Sequence, residues 1–239
     1  MRTPSEREAW SIVLAGADAT RTFGHATLAR QYFAPPGGRS LLERTLDRSI
    51  ALIPPERTIT LIGSGHQPFA APQVSGRSDH VLRLPTSSDP GIGVLYPLAF
   101  VRHWAPHAVV VVMPGNRVAT PANAFVFRIA EALAVAWQNP GSVVLLGDTQ
   151  VFCGTVESIW NLGRETQPEL MRLADQLVAG LSGPQAEMAV RDFFVAAQRL
   201  NWQSDVLARA PDLTLTLTLR GIDWVDSLPI SPERARMLA

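Results

Sequence analysis

The chain has 239 residues, 46% hydrophobic and 18% charged, with 21 Lys+Arg balanced by 21 Asp+Glu. That is enough apolar material for one large core or two closely joined ones, and zero net charge offers no bulk field to hold nucleic acid or an anionic membrane. All 21 of those cations are arginine, which excludes any mechanism needing a lysine ammonium as a phosphate clamp or a Schiff base.

The opening "MRTPSEREAW" has no apolar leader core, and no stretch reaches the roughly 18 apolar residues of a membrane span. A soluble, cytoplasmic protein is the expectation. "WSIVLAG" (10–16) reads as a buried strand running into the small-residue turn "AGADATR". Taken alone, that turn supports a phosphate-holding loop and an ordinary strand-to-loop turn about equally. Such loops use glycine to bring backbone N–H groups close to the anion, and Ala17 and Ala19 each add a Cβ there. "SLLERTLDRSIALI" is a helix announced by a capping box, Ser40 with Glu43 three residues on. "RTITLIG" and "HVLRLP" follow as strands, with "GSGH" (63–66) between them as a tight turn or a helix start.

"GIGVLYPLAFVRHW" has helical character with a bend expected at Pro97. "AVVVVMP" (108–114) is apolar throughout and therefore a central strand covered on both faces. In "TPANAFVFRIAEALAVAWQN", Thr120 is the expected N-cap and Pro121 the first helical residue. "SVVLLG" and "TQVFCG" are further strands, and the lone Cys153 in the second of them reads as a small buried hydrophobe. "TVESIWNLGRETQPELMRLADQLVAG" is helical with a break expected at Pro168, and "PQAEMAVRDFFVAAQRL" is another helix. "LTLTLTLR" (213–220) alternates with period two, predicting a strand with one buried face, and Ser231 caps a closing helix. Strand–helix–strand alternation with short links argues for one compact α/β unit over 1–239, a mainly parallel mixed sheet with helices on both faces.

His103 and His107 are four apart, but Pro106 interrupts the helix face and no third ligand lies near, which argues against zinc. Trp160, Phe193 and Phe194 suit either a core or an interface, the core being the commoner place for them. No nucleophile elbow, Walker loop or Cys-x-x-Cys pair occurs.

Several segments, in order, resemble the sugar-1-phosphate nucleotidyltransferases, and within them the mannose-1-phosphate guanylyltransferases. "WSIVLAGADATR" is similar to their Leu-Ala-Gly-Gly-x-Gly-Thr-Arg opening, and "ARQYFAPPGGRSLLERTLDRSIALIPPERTITLIGSGH" to the stretch that follows it. "GVLYPL" resembles the helix after their base-binding loop, "VVVVMPGNR" the strand ending in Pro-Ser-Asp-His, and "FVAAQRLNWQSDVLARAP" and "GIDWVDSLPISPER" the end of the catalytic domain. The resemblance implies a Rossmann-like, GT-A-like fold with a nucleotide-binding-type half (1–147) and a remnant of the sugar-binding half with closing elements (148–239). It also implies attack of a sugar-1-phosphate on the α-phosphorus of a nucleoside triphosphate, assisted by Mg²⁺.

Carried over residue by residue, the nucleotide loop is Leu14, Ala15, Gly16, Ala17, Thr20 and Arg21, and Arg30 stands in the place of a phosphate-contacting lysine. Ser87 and Ser88 fall in the base-recognition loop, Asn116 replaces a metal-binding aspartate, Asp226 matches the second metal aspartate, and Asp148 falls at a sugar-binding position. If active, Arg21, Arg30 and Asp226 would be the catalytic set, with Asn116 and Asp226 on the metal. The scaffold signals stay readable while the positions for chemistry differ. This favours a catalytically impaired or silent homologue that senses a ligand or binds a protein partner, or a second copy of itself. The alternative is an active nucleotidyltransferase of altered specificity. The ligands implied are GTP, GDP-mannose or another nucleotide-sugar.

Overall fold

The structure, a computed structural model, describes residues 8–16, 20–23, 26–35, 37–84, 92–184, 186–196 and 200–225. Its centre is a seven-stranded sheet. β1 (Ala9–Ala15) pairs in parallel with β4 (Thr58–Ile62) on one side and β6 (Val109–Pro114) on the other. β5 (His80–Arg83) extends the sheet beyond β4 as a parallel edge. Beyond β6 the direction reverses. β9 (Phe152–Thr155) runs antiparallel to both β6 and β8 (Val143–Leu146), and β10 (Thr214–Leu217) closes that side parallel to β8. Two short antiparallel pairs stand apart from this sheet: β2 (Thr20–Phe23) with β3 (Ala26–Ala29), and β7 (Val118–Thr120) with β11 (Asp223–Val225).

The strand periodicity sorts side chains into two cores, because successive residues point to opposite faces. Trp10 and Ile12 of β1, Val110 and Val112 of β6 and Phe152 of β9 face one layer. That layer is built by α3 (Ile92–Trp104), α5 (Val156–Thr166), α6 (Pro168–Gly180) and α7 (Ala186–Ala196). Val13 and Ala15, Val109, Val111 and Met113, and Cys153 face the other. There they meet α1 (Leu41–Ile50), α2 (Gln67–Val74) and α4 (Ala122–Gln138). Trp160, Phe193 and Phe194 are all buried in the first core, which settles their two readings in favour of packing.

The capping box forms as the sequence demands. Ser40 Oγ accepts from Glu43 N at 3.0 Å, and Glu43 Oε2 accepts from Ser40 N at 2.9 Å. The break at Pro168 is also present, between α5 and α6. Two expectations are corrected. Thr120 does not cap α4: it ends β7, held extended by pairing with Asp223, and Pro121 takes the N-cap position after a cis Thr120–Pro121 bond. "LTLTLTLR" forms only the four-residue strand β10, and Leu215 is 38% exposed. β10 is a sheet edge, so neither face is fully covered. The closing helix capped by Ser231 lies outside the described residues. Among the described residues no helix is long and apolar enough to cross a membrane.

Two outcomes are expected. Ser40→Ala removes the acceptor for Glu43 N and the donor to Gln73 Oε1, and should cost about 1–2 kcal/mol in urea unfolding. Burial pushes the Cys153 thiol far up from its ordinary range. The native protein should therefore stay inert to Ellman's reagent at pH 8 and react only once unfolded.

Candidate functional site

In an open parallel sheet the ligand crevice forms beyond the carboxyl ends of the strands, where the connections leave in opposite directions. Here that point lies between β1 and β6. From β1 the chain crosses to β4 on one side; β6 returns on the other. The two strand ends are joined by Gly115 N donating to Leu14 O at 2.7 Å. A cleft of about 330 Å³ opens above them.

Leu14 and Gly16 form its floor on the β1 side, and Asn116 and Arg117 on the β6 side. Both strand ends are closely approached, and the approach favours glycine most at Gly115, where the neighbours include backbone. A Cβ on Gly115 would stand 3.1 Å from Leu14 O and 3.2 Å from Ala15 Cβ, and one on Gly16 would meet Leu84 Cδ1 at 2.5 Å. The opposite wall comes from far along the chain, where residues Trp202–Val206 make a single π-helical turn. Isolated π turns are frequent at functional sites. This one is fixed by Asn201, whose side chain accepts from Gln203 N and Ser204 N, while Asn201 N donates to Asp205 Oδ2 at 2.8 Å. That backbone bond holds the Asp205 carboxyl below its ordinary range.

The turn sets the indole of Trp202 against Phe152, with ring centroids 6.1 Å apart and planes 16° apart. Trp202 is 4% exposed, and its Nε1 is buried without a hydrogen-bond partner among the described residues. The same holds for Asn116 Oδ1. Both side chains line the cleft. Buried polar atoms are paired in the great majority of cases, so an unmatched donor and acceptor in one cleft mark where a ligand or an ordered water belongs. Gln150, Asn201 and Gln203 add further carboxamide side chains to the wall.

Of the residues singled out from the sequence, Leu14, Gly16 and Asn116 are brought together in this cleft. Ala15 is buried beneath it, its carbonyl accepting from Gln31 Nε2 and from the Tyr32 hydroxyl, both at 2.9 Å. Thr20 and Arg21 lie on β2. Arg30 is half-buried in the short 3-10 turn Arg30–Tyr32 and is not part of the described cleft wall. Asp148 is exposed on the turn after β8 and is likewise absent from that wall, which takes Gln150 instead. Ala17, Ser87, Ser88 and Asp226 lie outside the described residues. Trp202, Gln203 and Gln150 were not anticipated as site residues: no periodicity marks them, and the resemblance of "FVAAQRLNWQSDVLARAP" to the end of a catalytic domain singled out none of its side chains. The signal that could have found Trp202 is "NWQSD" itself, an asparagine positioned to cap a turn around a tryptophan.

Among the described residues no three His, Cys, Asp or Glu side chains converge to hold a metal. His103 Nε2 lies instead 2.9 Å from Ser182 Oγ on the outer surface.

A mostly parallel seven-stranded sheet, helices on both faces and a crevice at the β1–β6 switch point define a Rossmann-like α/β fold. The sequence matches no protein-family model and no curated protein. Among solved structures the chain is similar to mannose-1-phosphate geranyltransferase from Thermus thermophilus, with TM-score 0.75 and 19% identity over 92% of this chain and 76% of that one. It is also similar to mannose-6-phosphate isomerase from Helicobacter pylori, with TM-score 0.69 and 12% identity over 92% of this chain and 100% of that one. Inositol-1-phosphate CTP transferase from T. maritima aligns over 97% of this chain and 94% of its own, with TM-score 0.55 and 11% identity. At these identities the likeness is one of fold.

Gly115→Ala should separate the two strand ends and cost roughly 1–3 kcal/mol of stability, since its Cβ meets backbone and a packed alanine. Gly16→Ala should cost less, because the obstacle is the end of a flexible leucine side chain. Paired urea melts of the two variants check the order.

Proposed function

We propose that the chain binds a nucleotide-sugar such as GDP-mannose in the cleft above β1 and β6, and does so without metal-dependent nucleotidyl transfer. The observation that carries this reading is the chemistry of the described cleft wall. It contains one cation, Arg117, the carboxamides of Asn116, Gln150, Asn201 and Gln203, and no carboxylate. Sugar hydroxyls both donate and accept, and so suit the unmatched Asn116 Oδ1 and Trp202 Nε1 together. The Arg117 guanidinium gives the β6 side of the floor a positive charge, which suits a phosphate.

The described residues of the wall do not by themselves fit Mg²⁺. A hard divalent cation is drawn in by negatively charged oxygens, and Asn116 offers a neutral amide oxygen where a carboxylate would be needed. No step is therefore derived through the ion. What these side chains do is orient and desolvate a bound ligand: Trp202 supplies an apolar face with a polar edge, and Phe152 fixes its plane. The resemblance of the segments around Leu14, Arg21 and Asn116 to mannose-1-phosphate guanylyltransferases supports guanine and mannose as first choices.

Calorimetric titration with GDP-mannose and with GTP, each in Mg²⁺ and in EDTA, tests the proposal. GDP-mannose should bind with an affinity that EDTA leaves unchanged. Asn116→Ala and Trp202→Phe should each weaken it roughly tenfold, about the effect of losing one buried hydrogen bond. Pyrophosphate release from GTP and mannose-1-phosphate in Mg²⁺ would overturn the silent reading and establish an active transferase. Absence of binding by either nucleotide would overturn both.

A further inference from the structure

On the far side of the β6–β7 turn lies a second pocket, of about 290 Å³, between α1, β7 and the first turn of α4. Arg39, Arg44, Asp47 and Arg48 line it from α1 and the residues before it, and Ala122 and Asn123 from α4. Arg48 is the unusual member. It is 4% exposed, yet it makes no ion pair among the described residues, and its Nε is buried without a hydrogen-bond partner there. Its Nη2 donates to Thr45 Oγ1 at 2.6 Å and to the Arg117 carbonyl at 3.1 Å, and its guanidinium lies 5.9 Å from the Phe125 ring centroid. Burial lowers its pKa to about 10, the nearby Arg44 adding to the shift.

Buried charges are normally matched by an opposite charge. The acid in this pocket, Asp47, is already held by Arg39 and by Arg77 Nε at 3.1 Å, and Arg77 also reaches Glu43 at 3.9 Å. Arg44, half-buried, donates among the described residues only to the Arg39 carbonyl. The first turn of α4 has no side-chain cap from its N-cap residue Pro121, and its Ala124 amide donates to Asn123 Oδ1 at 2.9 Å, which leaves the amides of Ala122 and Asn123 and the positive helix end beside the arginines. This combination is short of one anion.

We propose that this pocket is a second ligand site for a phosphate-type oxyanion, either free phosphate or the phosphate of a small ester, and that Arg48 couples it to the cleft. The coupling is structural. One guanidinium borders the pocket and also holds the carbonyl of Arg117, the residue that follows Asn116 into the cleft wall. An anion on Arg48 draws on the same side chain that fixes that turn. Arg48 is thus a positioning residue for the cleft, and this inference stands independently of what the cleft binds.

The test uses the whole chain. Titration with sodium phosphate, against sodium chloride at matched ionic strength, should give a saturable heat and a rise in melting temperature. Arg44→Gln and Arg48→Met should each weaken phosphate binding roughly tenfold, whereas His103→Ala, on the outer surface and away from both sites, should leave it unchanged. Should Arg48→Met fail to fold, Arg44→Gln decides, since Arg44 has no buried partner to lose. A parallel titration with glucose-1-phosphate separates the sources: tighter binding of the ester assigns the pocket to a phosphorylated metabolite, tighter binding of the ion to phosphate itself. Amide hydrogen exchange at residues 115–118 should slow when phosphate is bound to the wild type. A response reproduced by chloride, or retained in both arginine variants, would overturn the site. Phosphate binding with unchanged exchange at 115–118 would overturn the coupling.

Discussion

The structure depends on β1 being paired on both sides in parallel. β4 and β6 flank it over almost its whole length, and its Leu14 carbonyl is tied to the Gly115 amide. A strand so enclosed has no polar face to offer, so alternate side chains feed two separate hydrophobic layers. The same enclosure leaves a gap at its carboxyl end, since its connections depart toward opposite edges of the sheet. The cleft is a by-product of that topology. Its chemistry is set by whatever residues the chain brings to the rim.

Those residues come from distant stretches. Leu14 and Asn116 arrive at the ends of neighbouring strands, whereas Trp202 arrives on an isolated π turn after the helical layer has been completed. The wall is polar but short of charge, and its unmatched groups are a carbonyl oxygen and an indole N–H. The charge instead sits beneath, where arginines gather around the start of α4. Arg48 spans the two environments through a single backbone carbonyl.

Most of the sheet and helix order was legible in the sequence because long apolar runs, a capping box and a proline break carry local signals. β6 is apolar at every position and lies in the middle; Ser40 and Glu43 cap α1 as written. Where the reading failed, a tertiary partner outweighed a local preference. Thr120 has the chemistry of a cap, but strand pairing with Asp223 keeps it extended. The alternation of 213–220 is real, but an edge position leaves half of it uncovered. For the site, residues beside a strand end (Leu14, Gly16, Asn116) were legible, since strand ends are predictable. Asp148, Gln150 and Trp202 were not separable by sequence, because which of them reaches the rim depends on how a turn and a π helix are seated against Phe152.

The pairing of β7 with β11 has a consequence for the order of events during synthesis. The turn bearing Asn116 and Arg117 leads directly into β7, and β7's only strand partner among the described residues is β11, with Val118 opposite Val225. A nascent chain that has emerged through β9 already holds every parallel neighbour of β1, but not α5, α6 and α7, which complete the core on one face of the sheet. It still lacks the strand that clasps the turn, the Trp224 ring that covers Phe125, and the tryptophan wall of the cleft. Domains fold as units, so the turn bearing Asn116 and the far wall of the cleft take their final form only when the last described strand has joined the structure.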